Sequence, residues 1–515
     1  MTNNLSKGFI KYQARKTDGN IYAVHRVGER QGSKIISIDR WLGKVIDKDK
    51  NIFYNKKYGY FTYTVEDGLQ SLNNDEANYF RLISSQPEID SRPLKILNFG
   101  DSFVLDNVLH SIKFIDVLTK IKGINQDTLM SLIHFKLCDN GANRHAASFW
   151  NSSYTKILYP NASLQSQRIS EFYKSFGVED IKQNFLYIYY KFLNKRFKEY
   201  GILLDSSGMP NDIQFYLTKN NAHQGVISNE IRLILVIDKL SSLPLFFNYV
   251  PGNIVDVTTL KKTILTLKQH KIKIKDTIMD AGYYSKQNIL AMYEQKIDFL
   301  TRLSATNLIY KTLISKHSST IQHVTNLVQY KNRPMFIKIE KVDLYGNTGY
   351  AYICLDVARF GQETVKYSLE FLNSKIDLTD EEAQEKYLKL GMFILISSRK
   401  ISINDVLPLY YTRQAIEQVF DYSKNDVDLL PLRIHGEKAL RGHLLLSFIC
   451  SIVDGLFNIQ LEGTNFGTKA ALKELGYLHC NLYENKIITD HLSKQMNDIT
   501  KHLKISIPDT IKLKI

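Results

Sequence analysis

The sequence predicts an α/β protein with a mixed sheet in its core, interrupted by a β-rich insertion and preceded by a β-rich basic region and a helical segment. Three observations lead there. Between residues 196 and 303, short apolar runs alternate with helical patterns in the order strand, strand, strand, helix, strand, helix, strand. From 96 to 195, apolar residues recur at three- and four-residue spacing. And the first 60 residues hold 13 Lys/Arg against 5 Asp/Glu, over half of the formal charge of +15 carried by all 515 residues. An AT-rich coding bias would enrich Lys evenly along the chain, so this asymmetry points to a polyanionic partner, nucleic acid foremost.

In chain order, "YAVHRV" and "KIISI" flank the polar turn "GERQGS", and the aromatic run "FYNKKYGYFTY" follows, so residues 21–63 read as short strands within a basic DNA-binding region, 1–95. "SSQPEIDSRP" at 84–93 reads as a linker. "HSIKFIDVLTKI", "TLMSLIHFKL" and "IKQNFLYIYYKFLNKRFKEY" make 96–195 a helical segment. "GILLD" is a strand ending at Asp205; "IRLILVID" and "LPLFFNYV" are two more, turned by "KLSS"; Asp256 or Thr258 caps the helix "TLKKTILTLKQH". "DTIMD" ends at Asp280 beside Gly282, Ser285 caps another helix, and "DFLTRL" is a fifth strand. That order is the order of a ribonuclease-H-like domain. Residues 304–395 interrupt it with a hairpin around "YGNT" and a helix opened by the capping box Thr379-x-x-Glu382. The core resumes over 396–470 with "MFILIS" and a long helix from about Leu407, and 471–515 is a C-terminal extension.

Several classes fall away. Apolar residues at 44% and charged residues at 23% describe a globular protein of two to four domains. Cys138, Cys354, Cys450 and Cys480 match no zinc or redox spacing and read as reduced thiols. Leu444–Val453, the most apolar stretch, is half a membrane span and ends at Asp454. No secretion signal opens the sequence, so the expectation is a cytoplasmic protein with no membrane partner.

The chemistry concentrates in "YYTRQAIEQVFDYSK". On one continuous helix, Tyr410, Arg413, Glu417 and Lys424 fall within an arc of about 60° at 100° per residue, beside an apolar stripe of Leu409, Ile416, Phe420 and Val427. The bland reading is an exposed helix laced with salt bridges. Asp205 and Asp280 could equally be turn residues. Asp238 is explained by its hairpin and Asp256 by its cap; Asp421, close on the same helical face, competes with Glu417. Converging carboxylates repel each other unless cations sit between them, by roughly 4 kcal/mol at about 4 Å and an effective dielectric of about 20. Two strand-end Asp residues and a helical Glu therefore suit divalent ions.

Tyr, two residues, Arg, three residues, Glu, six residues, Lys resembles the signature around the third carboxylate in bacterial insertion-sequence transposases of the Asp-Asp-Glu type. Tyr410, Arg413, Glu417 and Lys424 match it without a gap. "DAGYYS" at 280–285 and "LLDSSGMP" at 203–210 are similar to that family's second and first aspartate motifs, although Ser-Ser follows Asp205 where many members have Thr nearby. "LPLFFNYVPGNIVDVTTL", "LPLRIHGEKALRGHLLLSFI" and the early "RWLGKVIDKDKNIFY" also resemble family segments. The likeness covers 200–303 and 390–450. It implies a ribonuclease-H-like core with an insertion between the second Asp and the Glu, and a catalytic and metal-binding set of Asp205, Asp280 and Glu417 holding two Mg2+ ions, with Mn2+ as a substitute. It also implies DNA contacts from Tyr410, Arg413 and Lys424, with polar side chains His435 and His443 in recurring positions. The implied enzyme binds the terminal inverted repeats of its own insertion sequence in double-stranded DNA, cleaves the ends and joins the 3′-OH to target DNA. It works as a homodimer in the DNA complex, in the bacterial cytoplasm at the nucleoid. A nuclease on the same fold, or a DNA-binding derivative without strand transfer, is the alternative.

Overall fold

The computed structural model describes residues 8–15, 20–31, 34–84, 93–211, 213, 215–223, 226–253, 259–373, 379–426, 430, 432 and 436–513. Residues 85–92 of the expected linker, Asp256, Thr258, Val427 and His435 lie outside them. The chain divides into two compact units, Met1–Pro93 and Leu94–Ile515.

The first unit is an antiparallel meander of six strands in chain order: β1 (Phe9–Ala14), β2 (Ile21–Gln31), β3 (Lys34–Asp47), β4 (Ile52–Asn55), β5 (Gly59–Thr64) and β6 (Gly68–Ser71), followed by the helix Asn74–Ser84. β2 and β3 run longer than the sequence suggests, because "GERQ" continues the ladder opposite "KIIS". One face carries Ala23, Leu42, Phe53 and Phe61, all buried, with Ile10, Tyr12, Val45 and Tyr63 packed around them. The sheet curls about this small core: the Tyr63 hydroxyl on β5 lies 2.6 Å from His25 Nδ1 on β2.

The second unit opens with β7 (Lys95–Asn98) and a run of helices that includes Gln126–Cys138, Ser166–Phe176 and Glu179–Asn194. Then come β8 (Tyr200–Pro210), β9 (Lys219–His223), β10 (Val226–Asp238), β11 (Pro244–Pro251), β12 (Ile274–Met279) and β13 (Asp298–Arg302). Ser285 caps the helix Lys286–Glu294, its side chain accepting from the Asn288 amide. In the sheet these strands stand in the order β11-β10-β8-β12-β13; β10 is antiparallel to β8 and β11, whereas β8, β12 and β13 are parallel. An antiparallel trio followed by two parallel crossovers, forming a mixed sheet, fits a ribonuclease-H-like core.

Two expectations need correction. β8 does not end at Asp205: β10 pairs with it as far as Pro210, opposite Glu230, so Asp205 lies mid-strand opposite Leu235. And the stretch 304–395, expected as β-rich, holds the helices Leu308–His317, Val357–Leu372 and Asp380–Leu388 beside β14 (Leu327–Tyr330), β15 (Arg333–Asp343) and β16 (Thr348–Asp356). Its strands extend the core sheet, because β17 (Met392–Ser397) pairs with β13 on one edge and β16 on the other. The hairpin turn and the Thr379–Glu382 capping box stand where the sequence puts them.

The long apolar helix Glu437–Gln460 is buried along most of its length inside the second unit. It crosses the helix Ser166–Phe176 closely enough that a Cβ on Gly442 would lie 2.0 Å from the Tyr173 carbonyl oxygen, so only glycine fits there. Residues 471–513 return to the start of the unit: β18 (His479–Leu482), β19 (Lys486–Thr489) and β20 (Thr510–Lys512) form a second sheet with β7. The four cysteines are free thiols; Cys354, Cys450 and Cys480 are buried and Cys138 partly so.

Candidate functional site

Sheet register brings the two aspartates together. Leu204 of β8 pairs with Met279 of β12 in parallel, and the next residues along the two strands are Asp205 and Asp280. Neighbouring strands lie about 4.8 Å apart, so two residues 75 positions apart in sequence stand one step apart on the ladder. The Asp280 carbonyl is held by the Thr301 hydroxyl of β13 at 3.2 Å.

The third carboxylate arrives on a helix lying against β8, but that helix differs from the one the sequence suggests. It is divided into Ile403–Tyr411 and Gln414–Asp421, followed by a wide π turn over Tyr422–Asp426. At the break the Thr412 hydroxyl takes the Leu409 carbonyl at 2.7 Å, and the amides of Thr412, Arg413, Ala415 and Ile416 bond three residues back instead of four. A side chain that competes for the backbone carbonyl tightens the turn. Tyr410 is buried in the wall beside Arg413, and burial pushes its hydroxyl pKa up to about 12. Its ring still lines the cleft with Asp280, Arg413 and Glu417.

Arg413 is the centre of the site. Its Nη1 lies 2.9 Å from Asp205 Oδ2 and 3.8 Å from Asp280 Oδ1, and its Nη2 lies 3.2 Å from Glu417 Oε1. Burial disfavours the charged guanidinium, yet Asp280, Asp205 and Glu417 outweigh it and hold the Arg413 pKa above its ordinary value. The Asp205 side chain is 16% exposed, those of Asp280 and Glu417 45% and 55%, so the cluster opens on the side of the last two. Eleven residues on, in the π turn, Lys424 donates to the Ser207 hydroxyl at 2.5 Å. Asp205 and Ser207 share one face of β8, so two cations of the signature meet two positions of one strand. Burial lowers the Lys424 pKa, against the opposing effect of Asp421 and Glu230.

The competing aspartates separate. Asp421 is exposed and its charge acts on Lys424; among the carboxylates of this helix, Glu417 is the one bonded to Arg413. Asp238 caps its hairpin through Ser241 at 2.7 Å. His443 is buried with its ring 5.0 Å from Tyr173, away from the cluster's lining. Two cations that sequence reasoning passed over, Arg302 at the end of β13 and Arg359 after β16, line the same cleft. The position of Arg302, at the C-terminal end of the strand parallel to that of Asp280, was a readable signal.

Whether this donor set suits divalent ions can be tested on its geometry. Among the described residues no three His, Cys, Asp or Glu side chains are gathered into a metal cage, because a guanidinium stands between the carboxylates. Asp205 Oδ2 and Asp280 Oδ1 both lie against Arg413 Nη1, which keeps them within about 7 Å of each other, a span that ions about 3.5–4 Å apart can bridge. Three hard oxygen donors around a position already held by positive charge fit such ions.

Among solved structures, the chain is similar to a cryo-EM structure of the piggyBac transposase synaptic complex with hairpin DNA. The identity is 10%, covering 73% of this chain and 78% of that one, with a TM-score of 0.39. It is also similar to the Mos1 transposase paired-end complex with the left transposon end, at 12% identity over 45% of this chain and 69% of that one, with a TM-score of 0.14. No curated protein matches the chain. The family model for the transposase DDE domain matches residues 196–453, half of the chain and the whole span that assembles the three carboxylates, and the chain belongs to that family.

Proposed function

We propose that this transposase binds the terminal inverted repeats of its own insertion sequence, cleaves the ends and joins the freed 3′-OH to target DNA. Asp205, Asp280 and Glu417 are its catalytic and metal-holding residues. The observation that carries this reading is the convergence of three carboxylates from two adjacent parallel strands and one helix onto a single guanidinium at the mouth of an arginine-lined cleft. Two divalent ions, Mg2+ or its substitute Mn2+, would supply an activated nucleophile and stabilise the leaving oxygen of an in-line displacement.

The chain's own residues do the rest. Asp205, the least exposed of the three, anchors the inner side; Asp280 and Glu417 face the opening from which DNA enters. Arg413 balances the acids while no other cation is near and is then available, as a rigid fork, for a phosphate oxygen. Lys424 supplies a point charge beside Ser207, and Arg302 and Arg359 add positive charge where the strand must lie. Tyr410 forms the wall of the cleft against the reacting end. Residues 1–95 bind the terminal repeat, and two protomers act together on paired ends.

The test uses Glu417→Gln and Asp421→Asn on end DNA with Mg2+. Glu417→Gln should lower cleavage by more than about a hundredfold, beyond the ten- to hundredfold of losing a group that merely supports a ligand, with end binding intact. Asp421→Asn should cleave normally. The reverse pattern would move the third ligand one turn along the helix. Precleaved ends that are bound but never joined to target would leave a nuclease instead.

A further inference from the structure

The face of the N-terminal sheet opposite its small core carries a row of rings and cations. Tyr22 on β2 is the register partner of Lys44 on β3, Lys44 of Tyr54 on β4, and Tyr54 of Tyr60 on β5. Directly opposed residues point to the same side, so the four form one line across four strands. Trp41 joins it, stacked on Tyr22 at 5.4 Å with the rings 23° apart; Tyr54 and Tyr60 lie 4.8 Å apart. Lys11 stands in the adjacent row, opposite Val24, whose other partner is Trp41, and the Arg15 guanidinium lies 5.5 Å from the Tyr22 ring.

This row depends on an irregularity. Residues 41 and 44 would face opposite sides of a regular strand. The register of β2 with β3 shifts between Ala23 and Val24, so Leu42 drops into the core while Trp41 and Lys44 both stay on the outer face. Gly43 makes the shift possible: its φ is +113°, and a Cβ there would lie 2.2 Å from the Tyr54 carbonyl oxygen. Cross-strand aromatic pairs do stabilise sheets, but that role favours covered rings. Trp41 is 58% exposed and Tyr54 37%.

We infer that this face binds an unpaired DNA strand, its bases stacking on Trp41 and Tyr54 and its phosphates meeting Lys44, Lys11 and Arg15. Charge selects a polyanion, since 13 Lys/Arg face 5 Asp/Glu in the first 60 residues. The rings select unpaired bases. A duplex hides its base faces and would set phosphates against exposed aromatic surface, whereas a single strand offers a π-face and a charge at every nucleotide. With strands about 4.8 Å apart, Lys44 sits between two stacking stations, Tyr22–Trp41 and Tyr54–Tyr60. The choice of DNA as the polyanion rests on the proposed function.

Trp41 is one of two tryptophans. In the full-length Trp150→Phe chain its fluorescence reports this face alone. A short oligothymidylate should quench it at lower concentration than a duplex of equal length or heparin. By anisotropy of labelled oligothymidylate, Trp41→Ala and Tyr54→Ala should each weaken binding about five- to a hundredfold, the range for losing one base–aromatic stack. Trp41→Phe should restore most of it, which separates stacking from misfolding. No quenching, equal quenching by heparin, or equal losses on single strand and duplex would overturn the inference. Cleavage of end DNA is scored separately. Cleavage without ring-dependent strand binding defeats only this face, and ring-dependent binding without cleavage defeats only the proposed function.

Discussion

Arg413→Ala tests the electrostatic logic of the carboxylate cluster without relying on activity. The three contacts of Arg413 are not equal. Asp280 lies 3.8 Å away and is 45% exposed, and Glu417 is 55% exposed, so solvent screens both and they add little. Asp205, at 2.9 Å and 16% exposed, is the contact that counts. A hydrogen bond to a charged group contributes about 1.5–3 kcal/mol. Its loss also uncovers repulsion between carboxylates no more than about 7 Å apart, roughly 2 kcal/mol at an effective dielectric of about 20 before screening. Solvent around the half-exposed Asp280 screens that repulsion to a fraction of this figure, so the metal-free variant should be less stable by about 2–4 kcal/mol. Mg2+ should recover most of that, because an ion bound by the carboxylates replaces the missing charge, and at a hundred times its Kd it stabilises by about 2.7 kcal/mol. The assay is thermal melting of the full chain in EDTA and in saturating Mg2+. The rise on adding Mg2+ should be larger in Arg413→Ala than in wild type, where the ions must first displace the guanidinium from the acids. Arg413→Lys, which keeps charge without the fork, should fall between. If Arg413→Ala melts like wild type in EDTA, or if Mg2+ raises both equally, the guanidinium is not the counter-ion of this cluster.

Two further outcomes follow from the packing. Lys182 is 4% exposed, with Nζ 4.4 Å from the Phe247 ring, and burial pulls its pKa from 10.5 down to about 8 despite Glu179. The unfolded chain holds that proton more tightly, so Lys182 contributes stability that grows as pH rises from about 8 to about 10.5. Lys182→Met should raise the melting temperature at pH 7, where burial of the charge costs about 3 kcal/mol less whatever the cation–π contact returns. The gain should fade by pH 10, and a gain independent of pH would reject this account. Gly442→Ala would add about 1 kcal/mol of stability in an ordinary helix interior; here the Cβ meets the Tyr173 carbonyl oxygen at 2.0 Å, so urea unfolding should show a loss instead.

Much of the fold was legible because its signals are local. Alternating apolar runs ending in turn residues mark β10, β11, β12 and β13, and the capping side chains of Ser285 and Thr379 mark their helices. What escaped depends on partners remote in sequence. β7 is four residues long and exists because β18, almost four hundred residues on, pairs with it. β8 outruns Asp205 because β10 continues alongside. The strands β14–β16 belong to the core sheet through β17, a pairing that no local pattern announces.

The carboxylate cluster shows the same division more sharply. A helical wheel places Arg413 and Glu417 on one face, and the structure joins them at 3.2 Å. The wheel also places Tyr410 and Lys424 with them; Tyr410 does line the same cleft, but Lys424 does not, because the wheel assumes one unbroken helix. The Thr412 hydroxyl and the π turn each change the phase. Tyr410 turns into the wall, and Lys424 reaches Ser207, not the acids. Nor can a wheel show that Arg413 touches Asp205 and Asp280, since that contact comes from the Leu204–Met279 register. Residue types at fixed spacing identify which side chains can do the chemistry. The pairing of two parallel strands decides that they meet, and the guanidinium at their meeting point explains how three acids coexist there.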